Sequence, residues 1–250
     1  MSPIGPERSR SVDLGLEQGL WHQRARVRVT IFDNHYDGLI EFLSKSALSL
    51  FGVPREVAAG TSFGAYVNSS SYRARGVEVS LDGKVGPHLI VSGQYTYLDA
   101  VVTQSFASSA LRPAFNPAYP GVPIGTFAPL VGGRPFRRAP NTASLHAAWA
   151  GSRGQLSLAG YFVGRQDAST FLSDAFGGSS LLLPNRDLAA GYQKVDISGD
   201  YRLHRRIRLY AVVENVLNQA YEAALGFPAL PVTVRTGLAL RLGGSKGSGE

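Results

Sequence analysis

The chain contains no cysteine. That excludes disulfides and thiolate metal sites and leaves the compartment open. Nor is there a run of 18 or more apolar residues, because Gly, Ser or Arg interrupts each greasy stretch, so no transmembrane helix is expected. Charge is scarce: charged residues make up 17% of the 250, below the roughly 25% of soluble domains. Met1 is followed by Ser-Pro-Ile-Gly-Pro-Glu-Arg, which lacks the apolar stretch of a signal peptide. The chain has no Gly-x-Ser-x-Gly elbow, phosphate loop, His-Glu-x-x-His pair or dinucleotide fingerprint. No enzymatic activity, catalytic residue, cofactor or metal is therefore assigned.

What the chain does have is glycine (29) and aromatics (12 Phe, 11 Tyr, 2 Trp). Little charge with much Gly and Tyr suits many strands, tight turns and interfacial aromatic girdles. The net charge is +7, but the basic residues are scattered among strands and form no run on a helix, so nucleic acid is not expected as a partner.

Alternation of apolar and polar residues predicts nine strands, at about 9–20, 24–34, 71–83, 88–102, 141–151, 155–165, 191–203, 206–216 and 232–242. The second is the cleanest. Ala25, Val27, Val29 and Ile31 alternate with Arg24, Arg26, Arg28 and Thr30. The last sets Val234, Leu238, Leu240 and Leu242 against Arg235 and Arg241. A strand puts each such set on one face, whereas a helix would scatter it.

The connections alternate in length. Short ones fall near Gly19–Gln23, Gly83–Pro87, Gly151–Gly154 and Leu203–Arg205, and long ones at about 35–70, 103–140, 166–190 and 217–231. An outer-membrane barrel has this rhythm, with short periplasmic turns and long extracellular loops. A soluble all-β binding domain, such as a lectin sandwich, has no reason for it and would place long loops at both ends. The greasy face of the last strand is accordingly assigned to lipid. The second long loop carries Pro113, Pro117, Pro120, Pro123, Pro129, Pro135 and Pro140, which blocks a regular helix or central strand there. Residues 243–250 read as a flexible Gly/Ser tail after the barrel portion, 1–242.

Single residues weigh less. Arg24, Arg26 and Arg28 are expected to face the lumen and pair with Asp or Glu of adjacent strands, rather than to form a free basic stripe. Asp33, His35 and Asp37 are expected in an aqueous loop after the second strand. They lack the second ligand pair that a metal site needs. His22, His88 and His204 fall at turns, and His146 is alone on a strand, without a catalytic partner. Tyr36, Tyr95, Tyr97, Trp149, Tyr161, Tyr192, Tyr201, Tyr210 and Tyr221 fit aromatic girdles. Phe106, Phe115, Tyr119, Phe127 and Phe136, in the proline-rich loop, either grip an incoming ligand or pack on one another.

Several segments resemble TonB-dependent outer-membrane receptors. Pro6-Glu7-Arg8-Ser9 with Val12 to Glu17 is similar to the family's "PERS…E.G" segment. Asn68 through Arg75-Gly76-Val77-Glu78 resembles its "N…GxE" strand. Arg137-Arg138-Ala139-Pro140-Asn141 resembles a further strand lead, and Glu214-Asn215-Val216-Leu217-Asn218-Gln219-Ala220-Tyr221 the "ENLFDKxY" strand. Gly237 to Leu242 resembles the closing strand. The resemblance implies a 22-strand barrel around a plug, of which this chain would be the last nine strands, without the plug or the energy-coupling box. Together with the missing terminal aromatic, that suggests a truncated or partial gene product. It also implies uptake of a scarce ligand (siderophore-iron, cobalamin or an oligosaccharide), driven by an inner-membrane energy-coupling complex, with ligand contacts spread over the four long loops. A passive outer-membrane pore or structural barrel is the alternative.

Overall fold

A computed structural model describes residues 4–106, 114–115, 123–124, 131–135, 137–167, 188–224 and 227–242. Nine strands form one antiparallel sheet in chain order: β1 (Arg8–Leu20), β2 (Ala25–Ser44), β3 (Gly64–Val85), β4 (Leu89–Gln104), β5 (Asn141–Ala150), β6 (Gly154–Val163), β7 (Tyr192–His204), β8 (Ile207–Glu214) and β9 (Thr233–Leu240). The remaining described strands form only two-stranded ladders. Among the described residues no second layer covers the sheet, so they do not form a sandwich. No helix among the described residues is long and apolar enough to cross a membrane.

The register explains the alternation. One row across the sheet reads Val27, Leu81, Gly93, Leu145, Gly160 and Val195, each the partner of the next. Another reads Ala147, Leu158, Ile197, Val213 and Val234. The row between them reads Arg26, Asp82, Ser92, His146, Ala159 and Asp196, and the row on the other side of the first reads Glu17, Arg28, Ser80, Gln94, Ser144, Tyr161 and Lys194; both are mainly polar. Side chains of a strand point alternately to its two faces, so the sheet is apolar on one face and polar on the other. Two clefts, each lined from several adjacent strands, open on the polar face. The sheet therefore curls with its polar face inside, as strands of a barrel do.

Among the described residues nothing packs over the apolar face. Leu14 is 73% exposed and Val234 63%. Among the described residues the buried hydrophobics are Ala25, Leu43, Ala47, Leu48, Ala58, Ala100, Val102 and Ala139. Half of these, Leu43, Ala47, Leu48 and Ala58, sit in one small cluster at a hairpin tip. An apolar surface this continuous is not left to water by a monomeric soluble protein.

The tight turns lie at one end of the sheet and the long connections at the other. The span 35–70 is a correction to the sequence reading. It is not a loop: β2 and β3 stay paired out to Ser44 and Gly64. At about 3.3 Å per residue the 22 residues of β3 reach about 70 Å, far more than the ~25 Å apolar band of a membrane barrel. The extension was hidden because the register slips between Tyr36, Leu39 and Ile40, beside Gly38 at φ 65°. The slip breaks the period-2 pattern. Two short helices, α1 (Lys45–Leu50) and α2 (Arg55–Ala59), close the tip. Phe51, Val53, Ala65, Val67 and Phe106 pack on its buried cluster. Glu41 ties the tip to β3 and to the end of β4: it accepts from Ser69 Oγ (2.6 Å), Ser105 Oγ (2.6 Å) and the Phe106 N–H (2.8 Å).

The sheet is open, with β1 and β9 at its edges. Both strands run from the long-connection end toward the tight-turn end. An all-antiparallel barrel can join them only through an odd number of further strands, because the two edges run in the same direction.

Gly76 sits where β3 meets β4, and a Cβ there would collide with the Tyr97 carbonyl oxygen and the Phe32 ring. Gly76→Val is expected to destabilise the sheet by about 1–3 kcal/mol, read as a lower urea midpoint of the detergent-solubilised chain. An unchanged midpoint would contradict the packing described.

Candidate functional site

The end of β8 is held by a knot of amides. Asn215 is 2% exposed and adopts the left-handed region at φ 53°, which Asn tolerates better than most residues. Its N–H donates to Asp196 Oδ1 at 2.8 Å. Its Nδ2 donates to the Gln219 carbonyl at 3.1 Å and the Leu230 carbonyl at 3.0 Å, while its Oδ1 accepts from the Gln219 N–H at 3.2 Å. Asn218, at φ 47°, accepts from the Val232 N–H at 3.0 Å. The Glu-Asn-Val-Leu-Asn-Gln stretch is thus a clamp that turns the chain and delivers Tyr221. The Tyr221 ring stacks on Tyr192 at 4.1 Å and 12°.

This tyrosine pair walls a cleft of about 390 Å³ on the polar face, toward the long-connection end, with Tyr161, Lys194, Gln94 and Thr142 among its lining. Lys194 pairs with Asp196 at 2.9 Å. Asp196 also lines a neighbouring cleft of about 300 Å³, with His146, Ser198 and Glu214. The two clefts share Asp196 and lie side by side as a polar groove on the inside of β4 to β8. Flat aromatic faces, an ammonium and neutral donors can hold an aromatic or anionic ligand by stacking, charge and hydrogen bonds.

Several residues singled out above take definite places. Arg26 and Arg28 share Glu17, at 3.1 and 2.5 Å, the pairing expected of them, whereas Arg24 lies in the turn before β2. Asp33, His35 and Asp37 are not in a loop: they lie within β2. His35 Nδ1 is 3.5 Å from Asp33 Oδ1. No group of three His, Cys, Asp or Glu among the described residues is placed to hold a metal. His88 Nδ1 donates to the Ala150 carbonyl at 2.9 Å, and His146 packs edge-on against Tyr161. Tyr161, Tyr192 and Tyr221 line the cleft instead of forming a girdle. Tyr36 stacks on Tyr72 at 4.4 Å. Phe106 packs on Phe51. The side chains of Phe115, Tyr119, Phe127 and Phe136, most of 166–190 and the 243–250 tail lie outside the described residues. Sequence reasoning quoted Asn215, Asn218 and Gln219 without finding their role, and missed Glu41. Asn-x-x-Asn-Gln after a strand was the available sign of a side-chain-clamped turn.

The chain matches the family described as TonB dependent receptor-like, beta-barrel, over residues 2–216, and it belongs to that family. No curated protein matches it in sequence. Among solved structures it resembles the ferric-catecholate import receptor Fiu of E. coli K12, with 16% identity, a TM-score of 0.62, and coverage of 94% of this chain and 28% of that one. It also resembles the siderophore receptor PiuA of Acinetobacter baumannii, at 14%, 0.63, 95% and 29%. The ferripyoverdine receptor of Pseudomonas aeruginosa gives 12%, 0.60, 95% and 27%. At such identities these structures show the fold: all-β, antiparallel, of the receptor-barrel type. The chain spans less than a third of the length of each. Family and neighbours are outer-membrane transport receptors rather than enzymes.

Asn215→Ala removes three side-chain hydrogen bonds and is expected to cost about 2–3 kcal/mol. It should also erase the near-UV circular dichroism of the stacked tyrosines. Retention of both the signal and the urea midpoint would refute the clamp.

Proposed function

We propose that residues 1–242 form nine consecutive strands, the last nine by resemblance, of an outer-membrane receptor for TonB-dependent uptake of a scarce ligand, a siderophore-iron complex above all. The observation that carries this reading is the continuous, uncovered apolar face opposite a polar, curled-in face, with every long connection at one end. In lipid an apolar face is stable, and every backbone group must find a partner in a closed ladder. An odd number of further strands satisfies the two parallel-running edges, and 13 more would complete a 22-strand barrel. The long connections then lie outside the cell and the tight turns in the periplasm. An inner-membrane energy-coupling complex supplies the energy in the complete protein.

Three of the structural relatives are named for a ferric catecholate, a siderophore or ferripyoverdine, which favours a siderophore-iron complex over cobalamin or an oligosaccharide. The Tyr192–Tyr221 pair offers flat aromatic surface on which the ring of such a chelate can stack.

Because the chain has no cysteine, single introduced cysteines report sidedness without background. In intact cells making these strands within a barrel whose edges are closed by further strands, V57C at the hairpin tip should react with a membrane-impermeant maleimide, and Q23C at a tight turn only after the outer membrane is permeabilised. Equal labelling of both, or recovery of the chain in the soluble fraction, would contradict the assignment. For the ligand, a ferric catecholate should quench the protein's fluorescence, and Tyr221→Ala should weaken binding up to about tenfold. Binding unchanged in that variant would remove the groove from ligand recognition.

A further inference from the structure

The hairpin of β7 and β8 carries a second, different site at the tight-turn end. Arg202 and His204 of β7, Arg205 and Arg206 of the turn, Arg208 of β8 and Arg241 just beyond β9 line a cleft of about 290 Å³. Elsewhere in the sheet four guanidinium groups are matched by carboxylates, Arg26 and Arg28 by Glu17, Arg75 by Asp99 and Arg235 by Glu214. Arg8, Arg10 and Arg73, unmatched among the described residues, are spread over two strands instead of gathered at one turn. In the cleft only Arg208 has such a partner, Asp200 at 3.4 Å. Arg205, Arg206 and Arg241 have none among the described residues. Clustering cations without counter-charges is electrostatically unfavourable, and an external anion relieves it.

The walls of the cleft indicate what kind of anion. Ile207 and Leu240 also line it. They are cross-strand partners and form the last rung of the uncovered apolar face at this end. Leu240 is 58% exposed and Leu203, beside the same turn, 57%. The cleft therefore wraps the rim of the sheet: Arg208 and Arg241 reach it from the polar face, Ile207 and Leu240 from the apolar face, and Arg205 and Arg206 of the turn lie between them. A small soluble anion would use only the arginines. A molecule with a phosphate head and a hydrocarbon body uses both, because guanidinium forks match phosphate oxygens and acyl chains cover Ile207 and Leu240.

We propose that this cleft binds the headgroup of an anionic phospholipid in the bilayer leaflet at the tight-turn end. The inference rests on the reading that the strands cross a bilayer. A zwitterionic lipid also offers a phosphate, but its ammonium is repelled by the unpaired arginines, so net negative charge is what the site selects.

The test uses the full chain in zwitterionic micelles, where water can reach the two open edges. Phosphatidylglycerol and phosphatidylcholine are titrated separately, and retained lipid is counted by native mass spectrometry. Phosphatidylglycerol is expected to be retained at least about tenfold more tightly. R205Q/R206Q/R241Q should abolish the preference. R205K/R206K/R241K, which keeps the charge, should preserve it, and so should R8Q/R10Q/R55Q, which removes the same charge elsewhere. Three results would overturn the proposal: no preference in the wild-type chain, equal loss in both glutamine variants, or full release of the lipid by millimolar inorganic phosphate, which would mark a free-anion site. Flotation of the wild-type chain with pure phosphatidylcholine vesicles reads membrane insertion separately, so lost preference with flotation intact overturns this inference alone.

Discussion

The structure depends on one constraint, the register of its antiparallel ladder. Side chains alternate with a period of two, so a slip of one residue would turn every apolar side chain of a strand to the wrong face. The register keeps Leu16, Val29, Val79, Tyr95, Ala143 and Phe162 in one line across six strands. It simultaneously keeps Glu17 opposite Arg28 on the other face. A soluble domain is held by a core between layers. Here stability comes from the ladder's hydrogen bonds and from what each face touches. The small buried cluster of Leu43, Ala47, Leu48 and Ala58 fastens only a hairpin tip.

The two ends of the sheet differ in chemistry. The long-connection end is built up: paired extensions of β2 and β3, a helical cap, the Glu41 network and the stacked tyrosine pairs. These contacts hold the outer part of the chain in defined positions, as a recognition surface requires. The tight-turn end is bare, with short turns and arginines that outnumber their carboxylate partners around β7, β8 and Arg241. Much of the chain's net charge of +7 thus has a structural address.

Much of the fold was legible in the sequence, because period-2 patterning is strong wherever one face is lined by apolar residues. The strand at Val27, Val29 and Ile31 shows this best, and each of the nine expected strands has its counterpart in the sheet, two of them much longer than expected. The outer half of the β2–β3 hairpin was not legible. Its register slips near Gly38, and its Leu43 and Val67 pack on a local cluster rather than on the continuous apolar face. The arginine–glutamate pairing of β1 and β2 could be anticipated, since polar residues on one face of neighbouring strands seek opposite charge. The groove could not. Tyr192 and Tyr221 are 29 residues apart in sequence, and their stacking depends on a side-chain clamp centred on Asn215. Alternation says nothing about such long-range amide contacts.

The central claim is that the odd-numbered face of β5 looks into an apolar medium and its even-numbered face does not. Leu145 and Ser144 are neighbours on β5 and point to opposite faces. Single tryptophans at these positions, L145W and S144W in a W21F/W149F background, can be read in micelles containing a brominated detergent. Strong quenching of the tryptophan at 145 and weak quenching of that at 144 is the predicted result. Equal quenching at both positions, or stronger quenching at 144, would contradict the account.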